Sequence, residues 1–363
     1  MIHTHTMKSP DTLVIGAGVL GCWAARHAIS SGEQVLLLES RHVGAGASGG
    51  FLGALMPHMP DSWNPKKQFQ YEGLTSLDTV VEVLEEETGI DCGYRRCGRV
   101  MPVTNAKLVQ QIQRRVDGAG KYWDERYTLS FREDETAFIN PSVASQGVQA
   151  DTLSARINPR NYMKALEASI RAHCMIMEGA EAELIRSVGD GFEVELSDGT
   201  TLSAGRVIVA NGYEAYPLLQ PFMDEMNSGK PLGRGVKGQA MLIEHEHDDT
   251  MPVLYHDGTY IVPHAGNRVA IGSTSVNDWE GQGAHHFDEA DLGFYDKAIE
   301  MMPSLRDAPV IERWAAVRPR NTMEGRGTEP FFGPVPGQEG LYALIGGFKI
   351  TLGIAHIASR GFL

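Results

Sequence analysis

Cysteine is scarce in this sequence: Cys22, Cys92, Cys97 and Cys174 are the four in 363 residues. Residues so few and scattered exclude a disulfide-built scaffold. Cys92 and Cys97 lie near enough to pair, but a reducing compartment is the simpler reading. Zinc-type spacing is missing as well. The 13 histidines are dispersed, and His245-Glu246-His247 lacks the i, i+4 pair of a helical ligand set, so no metal is expected. Apolar runs are too short to span a bilayer, and residues 1–10 are polar. Neither a transmembrane segment nor a secretory leader is expected, and the location reads as cytoplasmic. Basic residues are in deficit, 32 against 46 acidic, for a formal net charge of −14. No basic stripe offsets that charge, so no nucleic-acid binding is expected.

What is present is glycine, 41 residues of it, placed where chain segments turn. With 42% apolar and 21% charged residues, the chain has an ordinary enzyme composition and the length for two domains. Leu13-Val14-Ile15 runs into Gly16-Ala17-Gly18-Val19-Leu20-Gly21, a helix-compatible stretch follows to Ser31, and Val35 to Leu38 ends at Glu39. Strand, glycine turn, helix, strand and terminal acid make a dinucleotide-binding βαβ unit. Gly16 serves the tight turn, Gly18 close approach of a pyrophosphate, and Gly21 helix-to-strand packing. The helix start directs N–H groups and its positive dipole end at phosphate. Glu39 suits the ribose hydroxyls and disfavours a 2′-phosphate; FAD and NAD both remain open at this point.

Further along, Arg41 to Gly53 is rich in Gly, Ala and Ser and continues into the apolar Phe51 to Met56, as a cofactor-cradling loop does and a flexible linker does not. Long helices are predicted over Lys66 to Gly89 and from Asn158-Pro159 to about His173, with another from Asn105 to Val116. Strands are predicted at Arg99 to Val103, Met175 to Met177, a hairpin over Phe192 to Leu202, and Arg206 to Val209 ending in Ala210-Asn211-Gly212. Residues 234–275 read as strand-rich, Trp314 to Val317 as one more strand. Leu341 to Ile345 is a strand leading through Gly346-Gly347 to a helix from Thr351.

These segments together resemble the D-amino-acid-oxidase-like family of FAD-dependent oxidoreductases, the glycine and sarcosine oxidase type. The resemblance rests on Gly16-x-Gly18-x-x-Gly21 with Glu39, Gly46-Ala47-Ser48-Gly49, Gly53-Ala54-Leu55-Met56-Pro57, Val209-Ala210-Asn211-Gly212, Tyr260-Ile261-Val262-Pro263, Val317-Arg318-Pro319-Arg320 and Gly346-Gly347-Phe348-Lys349-Ile350-Thr351. It implies an α/β fold: a Rossmann-like FAD-binding domain (1–90, 148–216 and 320–363) and an antiparallel-sheet substrate domain (91–147 and 217–319). Noncovalent FAD is expected on Gly16, Ala17, Gly18, Val19, Leu20, Gly21, Glu39, Ser40, Arg41, Gly46, Ala47, Ser48, Gly53, Leu55, Ala182, Ala210, Asn211, Gly212, Gly346, Gly347, Phe348, Lys349 and Thr351. The sequence also departs from the family pattern. Gly346-Gly347 stands where Gly-His usually begins the closing loop, no cysteine follows Cys174 for a C-terminal flavin link, and Val269 to Ser275 lacks the oxygen-activating lysine of monomeric sarcosine oxidases.

The implied reaction oxidises the C–N bond of a small amino or imino acid by hydride transfer to flavin N5, leaving an imine for hydrolysis. Such a step depends on placement more than on a dedicated base. Arg318 is the candidate for the substrate carboxylate, since its planar fork suits bidentate recognition; a structural ion pair is the alternative. Arg320, two residues on in an extended segment, would share its face and form a two-arginine clamp. Tyr260 resembles the pocket tyrosine, with ordinary strand packing as its rival reading. Lys349 and the helix start after Gly347 suit the charge that collects on reduced flavin, which favours FAD over NAD. His58 and His264 lie near flavin-facing segments but are not assigned a catalytic role. The expected partners are a carboxylate-bearing amine and either oxygen or a carrier as electron acceptor. A 2-hydroxy-acid oxidase of the same fold, or the flavin subunit of a larger dehydrogenase or tRNA-modification system, are the alternatives.

Overall fold

The computed structural model describes residues 9–133 and 138–360. Thr12–Ile15 is buried along its whole length, as a central strand of a parallel sheet must be. It lies between Val35–Glu39 and Arg206–Val209, parallel to both. Met175–Glu178 extends the sheet beyond the first neighbour and Leu341–Ile345 beyond the second, again in parallel; Phe331–Pro334 closes that edge antiparallel. All these strands except the last were legible as apolar runs. The predicted hairpin is part of a three-stranded antiparallel sheet, Ala182–Val188, Gly191–Leu196 and Thr201–Ala204.

Helices cover one face of the parallel sheet. Val19–Ser30 packs between Pro159–Arg171 and Thr351–Ala358. Its Trp23 Nε1 donates to the Tyr162 hydroxyl at 2.7 Å inside the core, so neither polar atom is stranded. Asn158 caps Pro159–Arg171 by accepting from the N–H groups of Arg160 and Asn161. Asn64 does the same for Pro65–Thr88, and Gly89, at φ 69°, ends that helix in the left-handed region. Pro65–Thr88 crosses Thr351–Ala358 so closely that a Cβ on Gly73 would stand 2.6 Å from the Gly353 carbonyl oxygen.

The second large sheet has eight strands in the order Val310–Asn321, Gly233–Glu244, Arg268–Gly272, Thr259–His264, Val253–His256, Arg99–Pro102, Val148–Asp151 and Leu129–Arg132. Its pairings are antiparallel apart from that of Val253–His256 with Arg99–Pro102. Val148–Asp151, in the segment assigned from sequence to the cofactor unit, pairs here instead, and Val310–Asn321 runs across the expected boundary at 319/320. That strand is far longer than the predicted Trp314 to Val317. Two helices escaped the sequence reading. Ala215–Met223 contains Pro217 and Pro221, which break its apparent period, and Gly293–Met301 is a short helix that buries Phe294, Ala298, Ile299 and Met301 and packs on Thr259–His264.

Two polar anchors tie Val310–Asn321 to the other layer. Arg160 forms a bidentate pair with Glu312, at 2.6 and 2.7 Å. At the far end, the Asn321 side chain accepts from the Tyr216 hydroxyl at 2.9 Å and donates to the Glu329 carbonyl at 2.7 Å. All four cysteines are free thiols. Among the described residues, no helix is long and apolar enough to cross a membrane.

Candidate active site

The glycine turn after Thr12–Ile15 and the turn after Arg206–Val209 press against each other. Gly16 has φ +97°, and a Cβ there would come within 2.4 Å of the Asn211 Cα. Gly21 faces the Gly16 carbonyl oxygen, where a Cβ would intrude to 1.8 Å. Gly18 meets only the Ser48 hydroxyl, at 3.2 Å, and otherwise faces an elongated cleft. Three glycines at fixed spacing thus have three separate reasons to lack a side chain.

The Glu39 carboxylate accepts from the N–H groups of Ala17 at 2.9 Å and Arg41 at 3.0 Å, fixing it at the rim of that cleft. The Ser48 hydroxyl accepts from the Val19 N–H at 3.0 Å and holds the Gly-Ala-Ser loop over the helix start. The cleft has about 1600 Å3 of empty space, open mouth included. Of the residues expected to hold a dinucleotide, it is lined by Gly16, Gly18, Val19, Leu20, Glu39, Ser40, Arg41, Gly46, Ala47, Ser48, Gly53, Ala182, Ala210, Asn211, Gly212, Phe348, Lys349 and Thr351. Ala17 and Gly21 lie behind the turn, away from the lining. Leu55, Gly346 and Gly347 face a second, adjoining cavity. The Gly346 displacement has a local cause: its left-handed backbone, φ +78°, packs against the Asn321 amide, where a Cβ would come within 2.2 Å. Helix Thr351–Ala358 starts at Thr351, as read from the sequence, and Phe348, Lys349, Thr351 and Leu352 line the cleft.

The lining also includes Glu181, Tyr213, Glu214, Ser273 and Trp314, which sequence reasoning missed. Tyr213 and Glu214 follow Gly212 directly, so the second turn carried that signal. Trp314 comes from the eight-stranded sheet and Ser273 directly follows its strand Arg268–Gly272, and only the folding of that sheet back over the cleft brings them there.

A flavin dinucleotide fits this arrangement on two observations. Gly18 leaves the turn open to close backbone approach, and the buried Asn211 Oδ1 has no hydrogen-bond partner among the described residues although Asn211 lines the cleft.

At the end of the cleft nearest the large sheet, three cations gather on one aromatic ring. The guanidinium carbons of Arg318 and Arg320 lie 5.4 and 4.3 Å from the centre of Phe348, and Lys349 Nζ lies 5.9 Å from it. Arg318 donates to the Thr274 carbonyl at 2.6 Å and to the Ser273 hydroxyl at 3.2 Å. Its Nε is buried without a partner. Gly238 makes room for this group, since a Cβ would stand 2.1 Å from it. Burial lowers Arg318 to about 10, the Tyr260 hydroxyl opposing and the Arg320 charge adding to the shift. Burial, then the charges of Arg318 and Arg320, bring Lys349 down to about 8. Tyr260 packs at 4.8 Å on Tyr255, and burial pushes its hydroxyl up to about 12, leaving it a neutral donor.

The two histidines have different settings. His264 Nε2 bonds to the Phe51 carbonyl at 2.7 Å, and burial lowers it to about 4; it ties the large sheet to the cradling loop as a neutral ring. His58 is lowered to about 4 by burial and then by Lys66, Lys67 and Arg99, and its Nε2 is buried without a partner.

A parallel sheet with a glycine-turn cleft, capped by a mostly antiparallel sheet whose Arg318 and Arg320 have no carboxylate partner among the described residues, defines a dinucleotide-dependent two-layer enzyme. Residues 11–360 match the model of the FAD dependent oxidoreductase family, DAO, and the chain belongs to that family. FAD is accordingly its cofactor. Glycine oxidase of Pseudomonas aeruginosa is 26% identical over 97% of this chain and 93% of its own length. Among solved structures, glycine oxidase from Bacillus cereus has a TM-score of 0.83 at 21% identity, covering 97% of this chain and 93% of that one. Iminodiacetate oxidase from Chelativorans has a TM-score of 0.81 at 22% identity, covering 96% and 92%.

Proposed function

We propose that this FAD-dependent oxidoreductase oxidises the C–N bond of a small amino or imino acid, with FAD bound noncovalently. The observation that carries the reading is Arg318: a guanidinium at the end of the cofactor cleft, with an unpartnered Nε and no carboxylate among the described residues in a position to neutralise it. A buried cation without a counter-ion is costly, and a substrate carboxylate supplies the missing charge. The glycine oxidase relatives support the same substrate class.

In this reading the parallel and three-stranded sheets form the cofactor unit and the eight-stranded sheet the substrate unit. The turns at Gly16 to Gly18 and Ala210 to Gly212 hold the dinucleotide, Glu39 its ribose, and Phe348 to Thr351 its ring. Bound FAD would supply the acceptor for the hydride that leaves the substrate Cα with its two electrons. Arg318 fixes the carboxylate, and Tyr260, neutral below about pH 12, donates a further hydrogen bond to it. Together they hold Cα at one distance and angle, and such placement accounts for much of the barrier reduction. Lys349 places positive charge where electron density accumulates. Oxygen or a carrier would serve as the final electron acceptor.

The test is anaerobic titration of the purified holoenzyme with amino, imino and 2-hydroxy acids. Bleaching of the flavin with release of ammonia or an amine is expected from the first two groups. Bleaching by hydroxy acids alone would overturn the amine assignment.

A further inference from the structure

The second cavity lies against the first across Tyr260, Phe348 and Lys349, and has about 1480 Å3 of empty space with its mouth included. Its lining holds Lys66, Arg99, Arg115, Arg320 and Lys349, together with His58, and not one Asp or Glu. In a chain of net charge −14 this is an inversion of sign confined to one concavity. Two of the cations are answered from outside the lining: Arg99 pairs with Asp151 at 2.7 Å, and Arg115 faces Asp61 at 3.8 Å. Arg320, Lys349 and Lys66 have no such partner among the described residues. The field is also visible in its effects. Lysine and arginine charges deepen the fall of His58 to about 4, and two arginines deepen that of Lys349 to about 8.

One carboxylate cannot balance this end of the site. Arg318, Arg320 and Lys349 repel one another around Phe348, and a carboxylate on Arg318 leaves Arg320 facing the second cavity uncompensated. Arg318 and Arg320 are alternate residues of one strand, so their Cα atoms stand about 7 Å apart and their side chains leave the same face. That spacing suits two acidic groups on one small molecule. Resting on the amine-oxidation reading above, we propose that the substrate is an amino or imino dicarboxylic acid, its first carboxylate held by Arg318 and its second by Arg320 beside Lys349 in the second cavity.

Paired substrates with and without a second carboxylate test this on the holoenzyme. Aspartate against asparagine and glutamate against glutamine, each in both enantiomers, and iminodiacetate against sarcosine form the panel. The best diacid should exceed its partner in kcat/KM by about 10- to 100-fold, mainly through KM, the range expected for one charge-assisted contact. Arg320→Gln should collapse that ratio toward unity. Binding supplies a second readout: succinate should raise the melting temperature more than propionate does, and Arg320→Gln should abolish the difference. If Arg320→Gln does not fold, added salt serves instead, because it should raise the KM of the diacid more steeply than that of its partner. Equal kcat/KM within every pair, or a ratio indifferent to both Arg320→Gln and salt, would overturn the proposal. Should no member of any pair bleach the flavin, the amine-oxidation reading fails; the succinate-propionate comparison then still decides for or against a two-carboxylate site.

Discussion

Arg318 and Lys349 differ in how firmly their charges are held, and this makes their contributions separable. Replacing Arg318 by Ala should weaken substrate binding by about 1.5–3 kcal/mol, or roughly 10- to 150-fold in KM, with flavin content retained. Steady-state kinetics beside the 450 nm region of the absorption spectrum would check both halves. Arg318→Lys should recover only part of the loss, because an ammonium lacks the planar fork. Lys349, near 8, is a cation below that pH and neutral above it. Affinity for a carboxylate inhibitor without an amine should therefore be constant up to about pH 7 and fall as pH rises through 8. Lys349→Met should flatten that limb, and an unaltered profile would show that another group titrates there. His264 works in the opposite sense. Its folded value, about 4, lies below the ordinary 6.5, so the folded state resists protonation; stability should be full above about pH 6.5 and decline as pH falls toward 4. His264→Gln should reduce that acid slope in melting experiments.

The crossing of Pro65–Thr88 with Thr351–Ala358 is where packing reaches toward the site. Gly73→Ala forces a methyl onto the Gly353 carbonyl and should cost about 1–3 kcal/mol by denaturant titration. Flavin affinity should drop as well, because Thr351 and Leu352, at the start of the displaced helix, line the cofactor cleft. Tyr162→Phe should cost a similar ~1–3 kcal/mol by leaving the Trp23 indole N–H unpaired in the core. Elements of this kind differ in how much of them can be read from sequence. Thr12–Ile15 and Leu341–Ile345 are uninterrupted apolar runs between turn residues, and Asn158-Pro159 spells a helix start, so they were legible. Ala215–Met223 was not, because Pro217 and Pro221 carry no helical signal and its stability comes from burying Leu218, Leu219 and Met223. The site divides the same way. Glycine turns announce themselves locally and Arg318 was singled out through the resemblance of its Arg-Pro segment, whereas Ser273 and Trp314 reach the cleft only through the long-range pairing of the large sheet. The basic second cavity was hidden for the same reason: its cations come from positions as distant as Lys66 and Lys349.

Taken as a whole, the molecule is net acidic and holds one cavity lined by basic residues. Its cofactor is also a stabilising ligand: saturation at a hundred times the dissociation constant adds about 2.7 kcal/mol, so stripped protein should melt lower than the holoenzyme and recover on adding FAD. The acidic exterior should keep polyanions away while the cleft admits small acids, and raising ionic strength should weaken substrate capture without altering flavin content. The strand Val310–Asn321 gives this arrangement its mechanical basis. It is bolted through Glu312 to a helix of the cofactor layer and through Asn321 to the opposite edge, with Arg318 and Arg320 between the two fixings. A strand anchored at both ends cannot slide by one residue without turning both arginines to its other face. Under the proposed function, this fixed backbone register would act as a gauge between substrate and cofactor. Loosening either bolt should degrade turnover before it degrades binding.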